Sequence, residues 1–143
     1  MRISDVDQNK KIVFYGENHT DTDEVENIRE KIIKLNPDVI LHELYWEDKE
    51  FYHKVLPNTD VIPLEDEVED NDDLKSQFKK REESMIDHLN SAIYNDYSVI
   101  AVVVGDTHLR TIETDELGQV SPLVRWASDN GVRIVRSDNK EIE

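Results

Sequence analysis

The sequence predicts a single α/β domain built on a mostly parallel central sheet of about five strands flanked by helices. Three observations predict it. Short apolar runs of strand length alternate along the chain with amphipathic stretches of helical period. The run Ser98 to Val104, SVIAVVV, is β-branched and apolar without alternation, the pattern of a strand covered by helices on both faces. The chain has 143 residues and 37% hydrophobic content, enough for one modest core, with no repeat or low-complexity linker to divide it.

The elements read in the order β-α-β-x-β-α-β-α-β, after a polar N-terminal segment over residues 1–10. The first strand, Ile12 to Tyr15, closes at Gly16. Thr20 and Asp23 form a capping box, and Val25, Ile28, Ile32 and Leu35 then recur at helical spacing with charges on the opposite face. Asn36-Pro37 stops this crossover helix, because the residue before a proline is pushed out of the helical region. The second strand is Val39 to Leu41; nothing is assigned between it and the third run, Asp60 to Leu64. Pro63 has no N–H to donate, so that run belongs at a sheet edge or a strand end. The stretch 65–73 is nearly all acid and reads as a solvated loop, followed by the longest helix, Leu74 to Tyr94. The fourth strand, Ser98 to Val104, is central. Ser121-Pro122 opens a last helix that runs to Asp129, stops near Gly131 and leads into a final strand, Val132 to Val135. Strands separated by helices pair in parallel, because each crossover returns the chain to the same end of the sheet.

Charge and composition exclude several function classes. Seventeen Lys plus Arg stand against 33 Asp plus Glu, a net charge of −16. Phosphate binding needs clustered cations, and the basic runs here are no longer than Lys79-Lys80-Arg81, so a nucleic-acid partner is not expected. No apolar run approaches a bilayer crossing, and the start, MRISDVDQNKK, lacks the apolar stretch of a signal peptide. A cytoplasmic protein without membrane attachment is the expectation. With no cysteine, only histidine and carboxylates remain as strong metal ligands.

Side chains that leave the carboxyl ends of parallel strands converge in one crevice. The first strand runs into Gly16-Glu17-Asn18-His19, the second into His42-Glu43, the third into Glu65-Asp66 and the fourth into Gly105-Asp106-Thr107-His108. Acids at strand ends are common in so acidic a chain, whereas histidine is the sharper signal. The chain has 5 histidines, and His19, His42 and His108 all sit at strand ends. Two of them share the frame Gly-x-x-His, in which glycine lets the backbone turn sharply and sets the histidine on the first turn beyond it. Each can serve as a general base or, as neutral imidazole, as a metal ligand. Trp46 stands where a second histidine would complete a HExxH zinc signature, which excludes that type of metalloprotease. Neighbouring strand residues point to opposite faces, so Glu43 is assigned to the crevice and His42 to packing under a helix. In the long helix Leu74, Phe78, Met85, Leu89 and Ala92 form an apolar stripe with Arg81 at its centre. Arg81 either snorkels to water or turns inward to pair with one of the acids. His88, near the same stripe, reads as a core or boundary histidine.

Four segments together, Tyr15-Gly-Glu-Asn-His19, Pro37-Asp-Val-Ile-Leu-His-Glu43, Arg81 to Met85 and Val102-Val-Val-Gly-Asp-Thr-His-Leu109, resemble the TraB, Tiki and GumN superfamily, which takes in ChaN-like proteins and erythromycin esterases. The likeness spans residues 12 to about 112 and lies in the order and spacing of the motifs. In that superfamily a first Gly-x-x-His, a glutamate after the second strand, an arginine from a central helix and a second Gly-x-x-His recur, and His19, Glu43, Arg81 and His108 occupy those positions. Gly-Glu-x-His, with Glu17, is closer to the esterase and ChaN branches, and the ending Gly-x-x-His-Leu to TraB and Tiki. The chain is shorter than the usual domain and carries Asp106 where small residues are common.

The resemblance implies an EreA/ChaN-like α/β core and a hydrolase acting on a peptide or small molecule by water-mediated cleavage of an amide or ester bond. Glu43 and His19 would orient or deprotonate the water, His108 would assist, and Arg81 would hold the developing negative charge. Glu17, and Glu65 or Asp66, are further candidates. A divalent ion, manganese, zinc or iron, would take His19, Glu43 and His108 as its ligands. The rival expectation is a metal- or haem-binding protein of ChaN-like type without turnover. A metallophosphoesterase is disfavoured, because the first strand end lacks an Asp-x-His, and an acidic polyanion mimic leaves the ordered His and Glu positions unexplained. Pro63 and the short chain leave room for a homodimer that completes the pocket.

Overall fold

The computed structural model describes residues 11–18, 21–64, 74–93, 97–111, 120–136 and 141–142. The segment 1–10, His19, Thr20, the acidic stretch 65–73 with Glu65 and Asp66, and Tyr94 lie outside the described residues. The elements are β1 (Lys11–Glu17), α1 (Thr22–Leu35), β2 (Val39–His42), α2 (Tyr45–Val55), β3 (Asp60–Pro63), α3 (Leu74–Ile93), β4 (Val99–Gly105), a 3-10 turn over Asp106–Leu109, α4 (Pro122–Asn130), β5 (Arg133–Arg136) and β6 (Glu141–Ile142). They form one sheet in the order β3-β2-β4-β1-β5-β6. The first five strands are mutually parallel, and β6 adds to the edge antiparallel to β5.

Strand order dictates which helices share a face. The chain moves from β1 outward to β2 and β3, returns to insert β4 between β2 and β1, and continues to β5 on the far side of β1. Crossovers of one hand lie on one face while the chain moves one way and on the other face when it moves back. Accordingly, Ile28 and Ile32 of α1 and Tyr52 of α2 pack on Val13, Tyr15, Ile40, Ala101 and Val103. Met85, Leu89 and Ala92 of α3 and Leu123 and Trp126 of α4 pack on Phe14, Val39, Leu41, Val102 and Val104. The period-2 alternation of β1, β2 and β4 thus feeds two separate apolar layers. Phe14 stacks on Trp126 at 5.9 Å between ring centroids, which pins α4 to the central strand.

Local signals explain most of the boundaries. The N-cap of α1 is Asp21, whose side chain accepts from the N–H groups of Asp23 (3.0 Å) and Glu24 (3.3 Å), which corrects the expected Thr20 capping box. Asn36 ends that helix in the left-handed region at φ 51°, and Pro37 follows. Ser121 caps α4 with Pro122 just inside, and Gly131 closes it at φ 66°. Pro63 is both at the end of β3 and on an edge strand, where its missing N–H is harmless. The unassigned stretch after β2 is a helix, α2, and the final strand is followed by β6; neither was expected. Only Asp48 and Tyr52 of α2 are buried and its N-cap Leu44 offers no side-chain acceptor, so neither period nor cap announces it. No described helix is long and apolar enough to cross a membrane.

Candidate active site

Two polar groups form at the carboxyl ends of the strands, and a single dipeptide feeds both. The ladder runs one residue beyond β2, with Glu43 N–H donating to Val103 O at 2.9 Å. Alternation therefore sends Glu43 to the α3 and α4 face, with Val39 and Leu41, and His42 to the α1 and α2 face, with Ile40. The assignment of Glu43 to the crevice and of His42 to a place under a helix follows from this one register.

Glu43 is held on both oxygens. Gly105 N–H at the end of β4 donates to Oε1 (2.7 Å), Arg81 Nη2 of α3 donates to Oε2 (2.7 Å), and His108 Nε2 lies 3.1 Å from Oε2. Arg81 thus turns inward onto an acid. The other ring nitrogen of His108, Nδ1, faces Glu82 Oε2 at 2.9 Å, and Arg110 grips Glu82 with both terminal nitrogens, at 2.6 and 3.1 Å. Phe78 covers the group: its ring stacks on His108 at 4.8 Å, and the guanidinium groups of Arg81 and Arg110 lie over it at 5.9 and 5.7 Å. Ser121 Oγ donates to His108 O and accepts from Leu123 N–H, tying the turn that carries the histidine to the start of α4.

Burial sets the electrostatics of this group. The Glu82 side chain has no exposed surface and His108 has 2%, while Glu43 has 8% and Arg81 30%, so solvent reaches the group past Arg81. Desolvation works to lower the His108 pKa, but hydrogen bonds to Glu43 and Glu82 and the charge of Glu43 outweigh it. The net result is a pKa raised above the ordinary 6.5. Two carboxylates and two guanidinium groups balance, so a protonated His108 leaves one positive charge in a chain of net −16. Chemically the arrangement can orient a nucleophile at a carboxylate, hold a developing negative charge at Arg81, and move a proton along Glu43, His108 and Glu82.

Of the expected site residues, Glu43, Arg81 and His108 come together; His19 lies outside the described residues. Glu17 is placed in the second group. Glu82, Arg110 and Phe78 were not anticipated. The spacing Phe78, Glu82, Met85, Leu89 carries Glu82 onto the apolar stripe of α3, and this was the available signal for it.

The second group lies on the opposite face, under α1 and α2. Glu17 ends β1, His42 ends β2 and Asp48 comes from the first turns of α2; a ligand atom from each lies within 4.8 Å of the others, all three residues are buried, and the group could hold a metal ion. This is a different set from the expected His19, Glu43 and His108; each ring nitrogen of His108 faces a carboxylate. Arg29 of α1 donates to Asp48 Oδ1 (3.0 Å), and His42 Nε2 is 3.0 Å from Asp48 Oδ2 without the alignment of a hydrogen bond. Burial favours the protonated form of Asp48, but His42 and Arg29 prevail and lower its pKa. The Tyr52 hydroxyl is buried with no hydrogen-bond partner among the described residues, and desolvation, with the charges of Glu17 and Asp48, raises its pKa strongly.

No protein-family model matches the chain, and neither the curated proteins nor the solved structures contain a match to it.

Proposed function

We propose that the chain is a hydrolase of the TraB, Tiki and erythromycin-esterase type, cleaving an amide or ester bond in a small molecule or peptide with a water molecule. The observation that carries the reading is the meeting of Glu43, Arg81 and His108, from β2, α3 and the turn after β4, at the carboxyl end of a parallel sheet. Arg81, the most exposed member, receives the carbonyl oxygen as it gains charge. Glu43, fixed by Gly105 N–H and His108, orients the attacking water with His19, which follows the end of β1 by two positions. His108 relays the proton, its far nitrogen braced by Glu82. The reading includes a cytoplasmic location. A screen of esters and peptides tests it: Glu43→Gln and His19→Ala should each lower any hydrolysis found by about 10²-fold or more, and unchanged rates in both refute it.

The Glu17–His42–Asp48 group favours a second reading, a protein that holds a divalent ion, manganese, zinc or iron, without turnover. Elemental analysis beside the same screen separates the two: stoichiometric metal with no hydrolysis supports the second reading, and hydrolysis lost in Glu43→Gln supports the first.

A further inference from the structure

The hydrolytic reading makes no use of the group on the α1 and α2 face. We propose that Glu17, His42 and Asp48, beside the Tyr52 hydroxyl, form a structural site for one divalent transition-metal ion, which enters by shifting the His42 ring hydrogen from Nε2 to Nδ1. The inference rests on the metal-holding reading and adds to it the exchange at His42 and the effect on the fold.

Four observations support the site. One imidazole and two carboxylates offer donor atoms within 4.8 Å of one another, an N,O,O set suited to zinc, manganese or iron rather than to magnesium or calcium. Arg29 occupies Asp48 Oδ1, which leaves Oδ2 on the side of His42. Among the described residues, His42 Nε2, fully buried, has no aligned acceptor although Asp48 Oδ2 lies 3.0 Å away, and the Tyr52 hydroxyl, equally buried, has no hydrogen-bond partner. Buried polar atoms of this kind are rare, and each calls for a ligand or a water. The three donors come from β1, β2 and α2, so an ion among them staples a helix with few buried residues to the two strands beneath it.

The exchange follows from one hydrogen bond. Leu44 N–H donates to His42 Nδ1 at 2.9 Å, which puts the ring hydrogen of the neutral imidazole on Nε2. An ion bound at Nε2 requires that hydrogen on Nδ1, and the Leu44 amide must then give up its acceptor. The loss of one hydrogen bond is small beside the free energy of a three-ligand metal site, so the ion prevails. The hydrogen leaves Nε2 and one returns to Nδ1 through exchange with water, with no net proton released by the ring.

Chelator-treated full-length protein titrated with zinc chloride tests this by elemental analysis, melting midpoint and ¹⁵N NMR of the His42 ring. One zinc per chain, a switch of His42 to the Nδ1–H form, a displaced Leu44 amide resonance and a raised midpoint are expected. Glu17→Gln should weaken zinc by at least about 100-fold and abolish the rise, whereas Glu30→Gln, an exposed acid of α1, should change neither. Zinc held while His42 keeps its hydrogen on Nε2 overturns this inference and leaves a metal-holding protein standing, with the ion bound away from His42 Nε2. No zinc bound overturns both. Should Glu17→Gln fail to fold, the ring tautomer of the unmodified protein decides alone.

Discussion

His108 has a carboxylate on each ring nitrogen, Glu43 on Nε2 and Glu82 on Nδ1, and this pairing governs its protonation. Because the folded pKa is raised above 6.5, the stabilisation from its charge is complete below that value and is lost as pH rises through the raised one. The expected result is a His108 imidazole that titrates above 6.5 by NMR, and a protein that weakens as pH climbs out of that range. Glu82→Gln should bring the titration down and cost roughly 3–5 kcal/mol in urea unfolding, since it removes the fully buried carboxylate that Arg110 and His108 share; an unmoved titration would show that Glu82 does not control it. Arg81 and His108 were legible in the sequence because an arginine on an apolar stripe and a histidine at a strand end are conspicuous, and Glu43 because strand alternation sends it and His42 to opposite faces. Glu82 was not, because an acid in a chain with 35% charged residues reads as solvated until a neighbouring arginine and histidine are known to meet it.

Among the elements, those with strong punctuation were readable from sequence and those without it were not. Asp21, Asn36, Ser121 and Gly131 mark the ends of α1 and α4, whereas α2 has no capping side chain and a narrow buried face. Ser121 carries two duties, capping α4 and bonding the His108 carbonyl, while among the described residues the Asp21 side chain serves as a cap alone. Asp21→Ala should therefore cost about 1 kcal/mol and Ser121→Ala roughly 2–3 kcal/mol by urea unfolding. Equal losses would show that the bond from Ser121 to the turn after β4 adds nothing. The Thr20 cap failed as an expectation because Asp21 lies one position closer to the helix and its carboxylate reaches two N–H groups at once.

Across the whole molecule, a net charge of −16 on 143 residues sets the compact state against self-repulsion. Raising sodium chloride from about 10 to 200 mM shortens the screening length from roughly 30 Å to below 10 Å, so the melting midpoint should rise; a fall would mean that the exposed ion pairs outweigh the repulsion. The same scale separates what each level of description decides. Local sequence determined the alternation of strands and helices, the central place of the SVIAVVV run, the edge place of Pro63 and the types of side chain at each strand end, because strand period, β-branching, caps and a missing N–H act over a few residues. Only the tertiary structure decided strand order, and with it the face on which each helix lies. That order sends His42 and Glu43, neighbours in the chain, into separate groups, because crossovers of one hand change faces when the chain reverses direction across the sheet.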